Sequence, residues 1–270
     1  MQAGKIDISQ QRSLDQFYTL PCVAEKLVST AIRHTSSKGS DWLYLEPSAG
    51  EGAFLDKLPF PRIGVDISSP RADIITADFL EWHPNVAKRS VATIGNPPFG
   101  KNSSLAVRFF NHAATFSDII AFIVPKTFQK VSVQNKLSQS FHLIEEADVE
   151  SNSFRFAEGI YDVPCVFQVW ERREELRPVV DRKFTHPHFS FVNKKRADFA
   201  FQRVGARAGL VSIDGLQKSS NSHYFIKANI CAERIFSTLS NIDWVPIRSR
   251  TAGNPSIAKS ELIAAYEAVA

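Results

Sequence analysis

The sequence has few cysteines and no long apolar run. Its three cysteines, Cys22, Cys165 and Cys231, lie far apart and none has CxxC spacing. This pattern argues against a disulfide framework or a zinc site, so we expect free thiols in a reducing, cytoplasmic compartment. No stretch of ~18 apolar residues occurs, which predicts no transmembrane helix and no membrane partner. Residues 1–16 lack the apolar core of a signal peptide, and we expect no export.

Charge is distributed unevenly along a chain of otherwise ordinary globular composition. Of the 270 residues, 44% are hydrophobic and 22% are charged, and the formal net charge is +4. From Arg177 to the end there are 14 basic and 7 acidic residues, whereas the preceding part has 18 basic and 21 acidic residues. A basic C-terminal part of this kind indicates a polyanionic partner.

Strand and helix patterns alternate through about residue 171. Helices are predicted at Pro21–His34, Ala53–Leu58 and Ser104–Phe116, and strands at Trp42–Glu46, Ile63–Asp66, Asp73–Thr76, Val91–Ile94 and Asp118–Val124. We expect Phe141–Val149 and Val163–Trp170 to pair antiparallel at a sheet edge. The alternation predicts an α/β fold with a mostly parallel sheet covered by helices on both faces.

The charged stretch 172–183 is the best candidate for a domain boundary. We therefore predict a first domain over residues 1–175 and a small basic α+β domain over residues 176–270. Alternating residues at Phe189–Phe191 and Phe199–Phe201 predict strands there. The C-terminal segment Ile257–Val269 is predicted to be helical, with Asn254 as the N-cap and Pro255 in the first turn.

A glycine-containing loop, Glu46–Gly52 (EPSAGEG), follows the first long strand. Gly50 and Gly52 allow the backbone to approach a ligand closely. The loop does not satisfy the GxGxxG dinucleotide fingerprint, and it lacks the Lys-Ser/Thr of a P-loop. It therefore indicates a nucleotide-like ligand without identifying it, and a plain strand-to-helix turn is the alternative.

Two aspartates follow the next two predicted strands. Asp66 lies 20 residues after Glu46, where a carboxylate accepts hydrogen bonds from ribose hydroxyls. Asp78 is placed to accept a hydrogen bond from an exocyclic amine, with Phe79 packing on the base. Each aspartate alone is equally explained as a cap or turn former, but three successive strand ends together predict a pocket for an adenosine.

The motif Ile94–Gly100 (IGNPPFG) ends the fourth strand. Pro97 and Pro98 cannot donate backbone hydrogen bonds and hold the chain in an extended turn. The Pro97 carbonyl and the Asn96 amide oxygen are acceptors beside the aromatic ring of Phe99. An amine on a planar, stackable ring uses all of these groups.

The motif Asn96-Pro97-Pro98-Phe99 resembles the catalytic motif of the S-adenosylmethionine-dependent N6-adenine DNA methyltransferases, in the class whose cofactor motifs precede the catalytic one. The resemblance covers residues 15 to about 171 and implies a Rossmann-like class I methyltransferase sheet. It also implies S-adenosyl-L-methionine as cofactor and no metal. The cofactor-binding residues that it implies are Gln16, Phe17, Tyr18, Thr19, Glu46, Pro47, Ser48, Gly50, Gly52, Phe54, Asp66, Ile67, Asp78, Phe79 and Asn96, and the catalytic residues are Asn96, Pro97, Pro98 and Phe99.

The family mechanism requires the target adenine to leave the base stack. The resemblance implies that the Asn96 side-chain oxygen and the Pro97 carbonyl each accept one amino hydrogen, while Phe99 stacks on the base. One of Phe154, Phe156 and Tyr161 is expected to supply a second aromatic wall. The sequence leaves open which of the three does so, and core packing explains each of them equally well.

Several alternatives stay open at the substrate end. We expect a nucleic-acid partner, with DNA favoured, but an RNA adenine N6-methyltransferase has the same motif. A protein-glutamine methyltransferase also fits the acceptors, and a catalytically inactive nucleic-acid-binding module is the alternative outside the enzymes. Further features are a basic group at Lys194, Lys195, Arg196, Arg203 and Arg207, a polar run at Ser219–His223, and a histidine pair, His186 and His188, that is better explained by a strand edge than by a metal.

Overall fold

A computed structural model describes residues 17–36, 39, 41–86, 89–156 and 159–270 of the chain. The chain divides into two compact units. Unit 1 contains residues 1–128 and 133–179, and unit 2 contains residues 129–132 and 180–270. The separate roles expected of the two domains remain predictions.

Unit 1 is built on a seven-stranded sheet with the strand order β4-β3-β2-β5-β6-β10-β7. Its strands are β2 (Trp42–Pro47), β3 (Arg62–Asp66), β4 (Ile75–Thr76), β5 (Ser90–Gly95), β6 (Ile119–Pro125), β7 (Phe141–Asp148) and β10 (Cys165–Arg172). Strands β2 to β6 pair in parallel, whereas β10 is antiparallel to both β6 and β7. The expected α/β fold, with an antiparallel pair at one edge, is confirmed.

Helices cover both faces of this sheet. The helices from the first half of the chain are α1 (Pro21–Ser36), α2 (Ser104–Ala113) and the short α3 (Val131–Gln134). On one face, Ala24, Leu27 and Val28 of α1 join a buried cluster with side chains of the central strands. On the other face, Phe109 and Phe110 of α2 do the same. The central strands β2 and β6 are therefore buried along their whole length, as expected of a parallel sheet between two helical layers.

The strand order reverses direction between β2 and β5. The chain moves outward from β2 to β3 and β4 on one side, and outward from β5 to β6 on the other. In an open parallel sheet, the carboxyl ends of the two strands at such a switch point leave a crevice between their loops. The loop after β2 and the motif after β5 are thereby placed next to each other.

The helix predicted at Ala53–Leu58 is not an α-helix. Only a single 3₁₀ turn, Leu55–Lys57, forms there. Gly52, at φ +81°, precedes this turn, and Leu58 is already extended at φ −74° and ψ 143°. Pro59 explains the early end, because a residue before proline avoids helical geometry.

A small three-stranded sheet lies beside the main one and was not expected from the sequence. It contains β1 (Tyr18–Thr19), β8 (Phe154–Phe156) and β9 (Gly159–Tyr161) in the order β1-β8-β9. Tyr18 pairs with Arg155 and Thr19 pairs with Phe154. The N-terminal segment is thus held by a strand that is more than 130 residues away in the chain.

Unit 2 contains a four-stranded antiparallel sheet with the order β11-β14-β12-β13. Its elements are β11 (Phe189–Val192), β12 (Phe199–Gln202), β13 (Val211–Ser212), β14 (His223–Ala228), α4 (Ala232–Asn241), α5 (Val245–Arg248) and α6 (Lys259–Glu267). Phe189, Phe199 and Phe201 face a core that includes Ile235 of α4 and Tyr266 of α6. The two predicted strands and the α+β character of this part are present.

The predicted start of the last helix is wrong. Its N-cap is Ala258, not Asn254, and Glu261 caps it by accepting a hydrogen bond from the Ala258 N–H at 2.8 Å. Residues 255–257 are extended because they pair with residues 203–205. The Ile257 N–H donates to the Arg203 carbonyl at 2.9 Å. The Gly205 N–H donates to the Pro255 carbonyl at the same distance.

The expected free thiols are present. Cys22 and Cys231 are exposed, Cys165 is buried, and all three are unpaired. Burial raises the pKa of the Cys165 thiol to about 12, so this side chain stays protonated. None of the helices in the described part of the chain has the length and apolar character required to cross a bilayer.

The face covered by α2 allows a direct test of the packing. Phe110 is buried and lies edge-to-face against Phe141 and Trp170, at ring distances of 5.7 and 5.4 Å. We expect Phe110→Ala to lower the free energy of unfolding by about 3–5 kcal/mol, because it leaves a cavity in this cluster. Leu176→Ala, at a 61% exposed side chain, is the control and should cost less than about 0.5 kcal/mol. Urea denaturation followed by tryptophan fluorescence measures both, and equal losses would contradict the packing described here.

Candidate functional site

A cavity of about 790 Å³ lies in unit 1, where the loops after β2, β3 and β5 meet. This volume is in the range of sites that hold a small molecule. Of the predicted site residues, those that line the cavity are Phe17, Tyr18, Thr19, Glu46, Ser48, Gly50, Phe54, Asp66, Ile67, Asp78, Phe79, Asn96 and Pro98. Pro47, Gly52, Pro97 and Phe99 do not line it, and Gln16 lies outside the described residues.

The loop after β2 turns through two glycines in the left-handed region. Gly50 has φ +52° and Gly52 has φ +81°. A Cβ atom at Gly50 would lie 2.9 Å from Cε1 of Tyr18, and one at Gly52 would lie 2.3 Å from Nη1 of Arg71. Both positions therefore require glycine for conformation and for space. Gly52 faces Arg71 and does not line the cavity, so it affects the cavity only through the shape of the loop.

Arg71 holds this loop from outside the cavity and was missed by the sequence analysis. Its guanidinium donates to the Glu51 carbonyl at 3.0 Å and to both carboxylate oxygens of Asp56, at 2.9 and 2.8 Å. It also pairs with Asp73 at 2.7 Å. One arginine thus connects the glycine loop after β2 to the segment before β4. No local pattern in the sequence marks it, because its partners are spread over residues 51–73.

Glu46 is buried at the end of β2 and acts on the loop from within. Its carboxylate accepts the backbone N–H groups of Phe54 at 3.3 Å and of Leu55 at 2.6 Å. Burial raises the pKa of Glu46 well above its usual value, and the two hydrogen bonds oppose this rise in part. The Glu46 side chain thereby holds the backbone at Phe54 and Leu55 next to the cavity.

Asp66 and Ile67 follow β3. Asp66 is only 8% exposed, and its carboxylate accepts the N–H groups of Gly50 and Ser68, both at 2.7 Å. A carboxylate oxygen has two lone pairs, so each oxygen retains an acceptor position. Ile67 is 60% exposed beside it, which leaves an apolar side chain uncovered at the cavity wall.

Asp78 and Phe79 form the neighbouring wall. Asp78 is exposed, and Oδ1 accepts the Leu80 N–H at 2.9 Å. Phe79 is buried and stacks on Phe109 of α2, with ring centroids 5.1 Å apart and planes 29° apart. Phe109 also lines the cavity, so two parallel rings close this end.

Asn96, directly after β5, has an unusual hydrogen-bond arrangement. Its Nδ2 donates to the Phe17 carbonyl at 3.0 Å and to Oγ1 of Thr19 at 3.2 Å. These two acceptors fix the orientation of the amide, since the amide nitrogen has to face them. Oδ1 is buried and has no hydrogen-bond partner among the described residues. A buried acceptor without a donor costs about 1–3 kcal/mol, so this oxygen is a candidate for a ligand contact.

Tyr18 and Arg155 close the cavity from the side of the three-stranded sheet. Arg155 pairs with Glu51 of the glycine loop, and its guanidinium lies 5.8 Å from the centre of the Tyr18 ring. Burial raises the pKa of Tyr18, and the nearby carboxylates of Glu51 and Asp66 raise it further. Tyr18 is therefore a neutral hydrogen-bonding group at neutral pH.

Two of the four aromatic side chains expected near the base, Phe99 and Phe154, lie in the described part of the structure. Phe99 is half-buried and packs against both core clusters of unit 1. Phe154 is 1% exposed and belongs to the core cluster under α1, which favours the core-packing interpretation for this residue. The side chains of Phe156 and Tyr161 lie outside the described part of the structure. The stacking role of Phe99 remains a prediction.

The other features noted in the sequence lie in unit 2. The rings of His186 and His188 lie 4.8 Å apart, and burial lowers the pKa of His186. In the described residues, no group of three or more His, Cys, Asp or Glu side chains is arranged to hold a metal ion. The exposed turn Lys194–Arg196 connects β11 to β12. Arg203 lies over the Tyr224 ring at 5.0 Å, Arg207 is exposed, and Ser219–His223 leads into β14.

Comparisons with known proteins show similarity in fold. No protein-family model matches the sequence, and no curated protein gives a significant match. Similar solved structures include a candidate RNA methyltransferase from Pyrococcus horikoshii, at 16% identity over 59% of this chain and 87% of that chain, with a TM-score of 0.45. Magnesium protoporphyrin IX methyltransferase from Synechocystis, with bound S-adenosylmethionine, has 12% identity over 64% and 87%, with a TM-score of 0.41. An N-methyltransferase from Bradyrhizobium japonicum has 13% identity over 56% and 97%, with a TM-score of 0.39.

The glycine loop generates a prediction about stability. Gly52→Ala should lower the free energy of unfolding by more than the ~1–2 kcal/mol of a left-handed non-glycine residue, because the added methyl group also displaces Arg71. Gly39 is the matched control, since it has φ +111° and open space where a Cβ atom would lie. Gly39→Ala should therefore show the conformational cost alone. Urea denaturation of the two variants measures the difference, and equal losses would refute the role given to Arg71.

Proposed function

We propose that this protein is an S-adenosylmethionine-dependent methyltransferase that methylates the exocyclic N6 atom of adenine in DNA. The observation that carries the proposal is the buried Oδ1 of Asn96, which has no partner among the described residues and belongs to a residue that lines the cavity. A hydrogen-bond acceptor held in this way needs a donor from a ligand, and an amino group supplies one. The resemblance of residues 96–99 to the N6-adenine methyltransferase motif favours the adenine N6 atom as this amine.

The cavity residues fit the proposed cofactor. S-Adenosylmethionine, when bound, supplies an electrophilic methyl group on a positively charged sulfur. The free acceptor positions of Asp66 suit ribose hydroxyls, and the exposed carboxylate of Asp78 suits an exocyclic amine. Ile67 and the stacked pair Phe79–Phe109 provide apolar surface for a flat ring. The similar solved structures with bound cofactor agree with this assignment in fold.

The chain's contribution to the chemistry is to orient and polarise the acceptor nitrogen. The lone pair of an adenine amino group is delocalised into the ring, which makes the nitrogen a poor nucleophile. Asn96 Oδ1 accepts one amino hydrogen. The family resemblance assigns the other hydrogen to the carbonyl of Pro97, which is buried between the cavity-lining residues Asn96 and Pro98. With both hydrogens held, the lone pair is directed out of the ring plane toward the donor side of the cavity. Preorganised dipoles of this kind stabilise the transition state without rearranging during the reaction.

Two contacts keep Asn96 ready for this role. The Phe17 carbonyl and the Thr19 hydroxyl both accept from Nδ2, so the amide cannot turn its nitrogen toward the substrate. Thr19 belongs to β1, and the pairing of β1 with β8 supports the position of this contact. The product nitrogen loses one proton, which passes to solvent.

Substitution of Asn96 tests the role of its oxygen. Asn96→Ala should lower kcat for methyl transfer by at least about 100-fold, the loss typical of removing one preorganised hydrogen-bonding group. Affinity for S-adenosylmethionine, measured by isothermal titration calorimetry, should change by less than about threefold. Asn85→Ala is the matched control, because Asn85 is an exposed asparagine of unit 1 away from the cavity. Unchanged turnover in Asn96→Ala would refute the proposal.

Product analysis tests the substrate class. Labelled S-adenosylmethionine is incubated with duplex DNA, single-stranded DNA, RNA and protein, followed by digestion and mass spectrometry. N6-methyldeoxyadenosine supports the proposal, and N6-methyladenosine in RNA would replace DNA by RNA as substrate. Label only in protein would favour a glutamine methyltransferase. Absence of saturable cofactor binding would favour an inactive nucleic-acid-binding module.

Unit 2 fits a supporting role in nucleic-acid binding. Residues 180–270 contain 13 basic and 7 acidic side chains, and the turn Lys194–Arg196 is exposed. Extruding a base from a duplex costs a few kcal/mol, which contacts to the backbone have to offset. We propose that the basic side chains of unit 2 bind phosphates for this purpose.

A further inference from the structure

The chain that follows the motif after β5 places one lysine at the cavity. Lys101 is exposed, lines the cavity together with Asn96, and comes five residues after it. Among the described residues, Lys101 has no hydrogen bond or ion pair to its side chain. Of the other cavity cations, Lys57 lies 3.5 Å from Glu25 and Arg155 pairs with Glu51, whereas the exposed Arg108 of α2, like Lys101, has no hydrogen bond or ion pair to its side chain among the described residues.

The backbone around Lys101 is held in a conformation that is unfavourable for its sequence. Gly100, Asn102 and Ser103 all have positive φ, at +66°, +54° and +63°. Asparagine tolerates the left-handed region, whereas serine adopts it only at a conformational cost. The segment keeps this shape because Ser103 is only 4% exposed and its hydroxyl is hydrogen-bonded to Thr127 at 2.6 Å. Strained backbone that is fixed in this way is common at ligand-binding sites.

The side of the cavity that fits the cofactor carries two aspartates, Asp66 and Asp78. Glu51 and Asp56 also lie there but are paired with Arg155 and Arg71. A phosphate at that side would be repelled, whereas an unpaired ammonium next to the acceptor motif attracts one. A nucleotide whose base reaches Asn96 carries a phosphate on each side of its sugar. The ammonium group of lysine suits such a contact as a point charge.

We propose that Lys101 binds a phosphate that flanks the target base, so that the site takes a nucleotide within a strand and not a free nucleoside. This inference rests on the proposed function, because it assumes that the base enters beside Asn96. Part of the affinity for nucleic acid then comes from unit 1, at a residue five positions after Asn96 in the chain.

The test compares Lys101→Gln with Lys136→Gln, an exposed lysine of unit 1 that does not line the cavity. The probe is a fluorescent single-stranded oligodeoxynucleotide with one adenine, titrated by anisotropy in the presence of S-adenosylhomocysteine. Lys101→Gln should weaken binding about tenfold, as expected for loss of one charged hydrogen bond, and Lys101→Arg should restore most of it. The slope of log K against log salt should fall by about 0.7 in magnitude for Lys101→Gln only.

A second probe identifies the phosphate. Replacing the two phosphates that flank the adenine by neutral methylphosphonates should weaken wild-type binding about tenfold and leave Lys101→Gln unaffected. Equal effects of the neutral probe on both proteins, or binding by Lys101→Gln equal to that of Lys136→Gln, would overturn the assignment. Loss of S-adenosylhomocysteine affinity in Lys101→Gln would also overturn it, because Lys101 would then serve the cofactor.

Methyl-transfer rates measured on the same samples separate the two proposals. If the wild type binds the oligonucleotide through Lys101 but transfers no methyl group, the phosphate contact stands and the proposed function fails. If the wild type methylates the adenine and Lys101→Gln behaves like the control, only the phosphate contact fails. Failure of the wild type to bind the oligonucleotide would overturn the assignment of Lys101. Equal thermal midpoints exclude misfolding of the variants.

Discussion

The site depends on how one amide is oriented. Asn96 Nδ2 is held by the Phe17 carbonyl and the Thr19 hydroxyl, and this leaves Oδ1 buried without a donor. Neither partner is near Asn96 in the chain, because both belong to the N-terminal segment. That segment in turn keeps its position by pairing with β8, so a strand that is distant in the sequence determines the direction in which an asparagine points. A buried acceptor without a donor destabilises a folded protein, and here it belongs to a residue that lines the large cavity.

The glycine loop is also held by residues outside it, but here the contacts are made by charged side chains. Arg71 bridges the Glu51 carbonyl, Asp56 and Asp73, while Glu46 holds the N–H groups of Phe54 and Leu55 from the other side. The loop is thus fixed from outside by a cation and from inside by a buried carboxylate. Because Arg71 is largely shielded and makes several bonds at once, it contributes more than an isolated surface ion pair would. The cavity therefore has one wall set by electrostatics and another set by strand pairing.

Sequence patterns were sufficient for the elements whose residues lie close together in the chain. The parallel strands, α1, α2 and the antiparallel pair at the edge follow from runs of buried apolar residues, and the Asn96 motif is contiguous. Patterns failed where distant contacts decide the outcome. Apart from the helix predicted after β2, which the adjacent Pro59 limits to one turn, this applies to the last helix, which starts late because residues 255–257 pair with residues 203–205. Arg71, β1 and β8 were missed for the same reason, since their partners are far apart in sequence.

Charge is distributed unevenly around the cavity, and this distinguishes the side that fits the cofactor from the side of the Asn96 motif. The carboxylates come from the ends of β2 and β3 and from the loops after β2 and β4, whereas Lys101 and Arg108 come from the chain after β5. A switch point in the strand order separates these two sets of loops, so each can evolve its own electrostatics without disturbing the other. Under the proposed function, a positively charged sulfonium donor is favoured on the side of Asp66 and Asp78, and an anionic strand is favoured on the side of Lys101. The strand order would then hold two ligands of opposite charge on the two sides of Asn96.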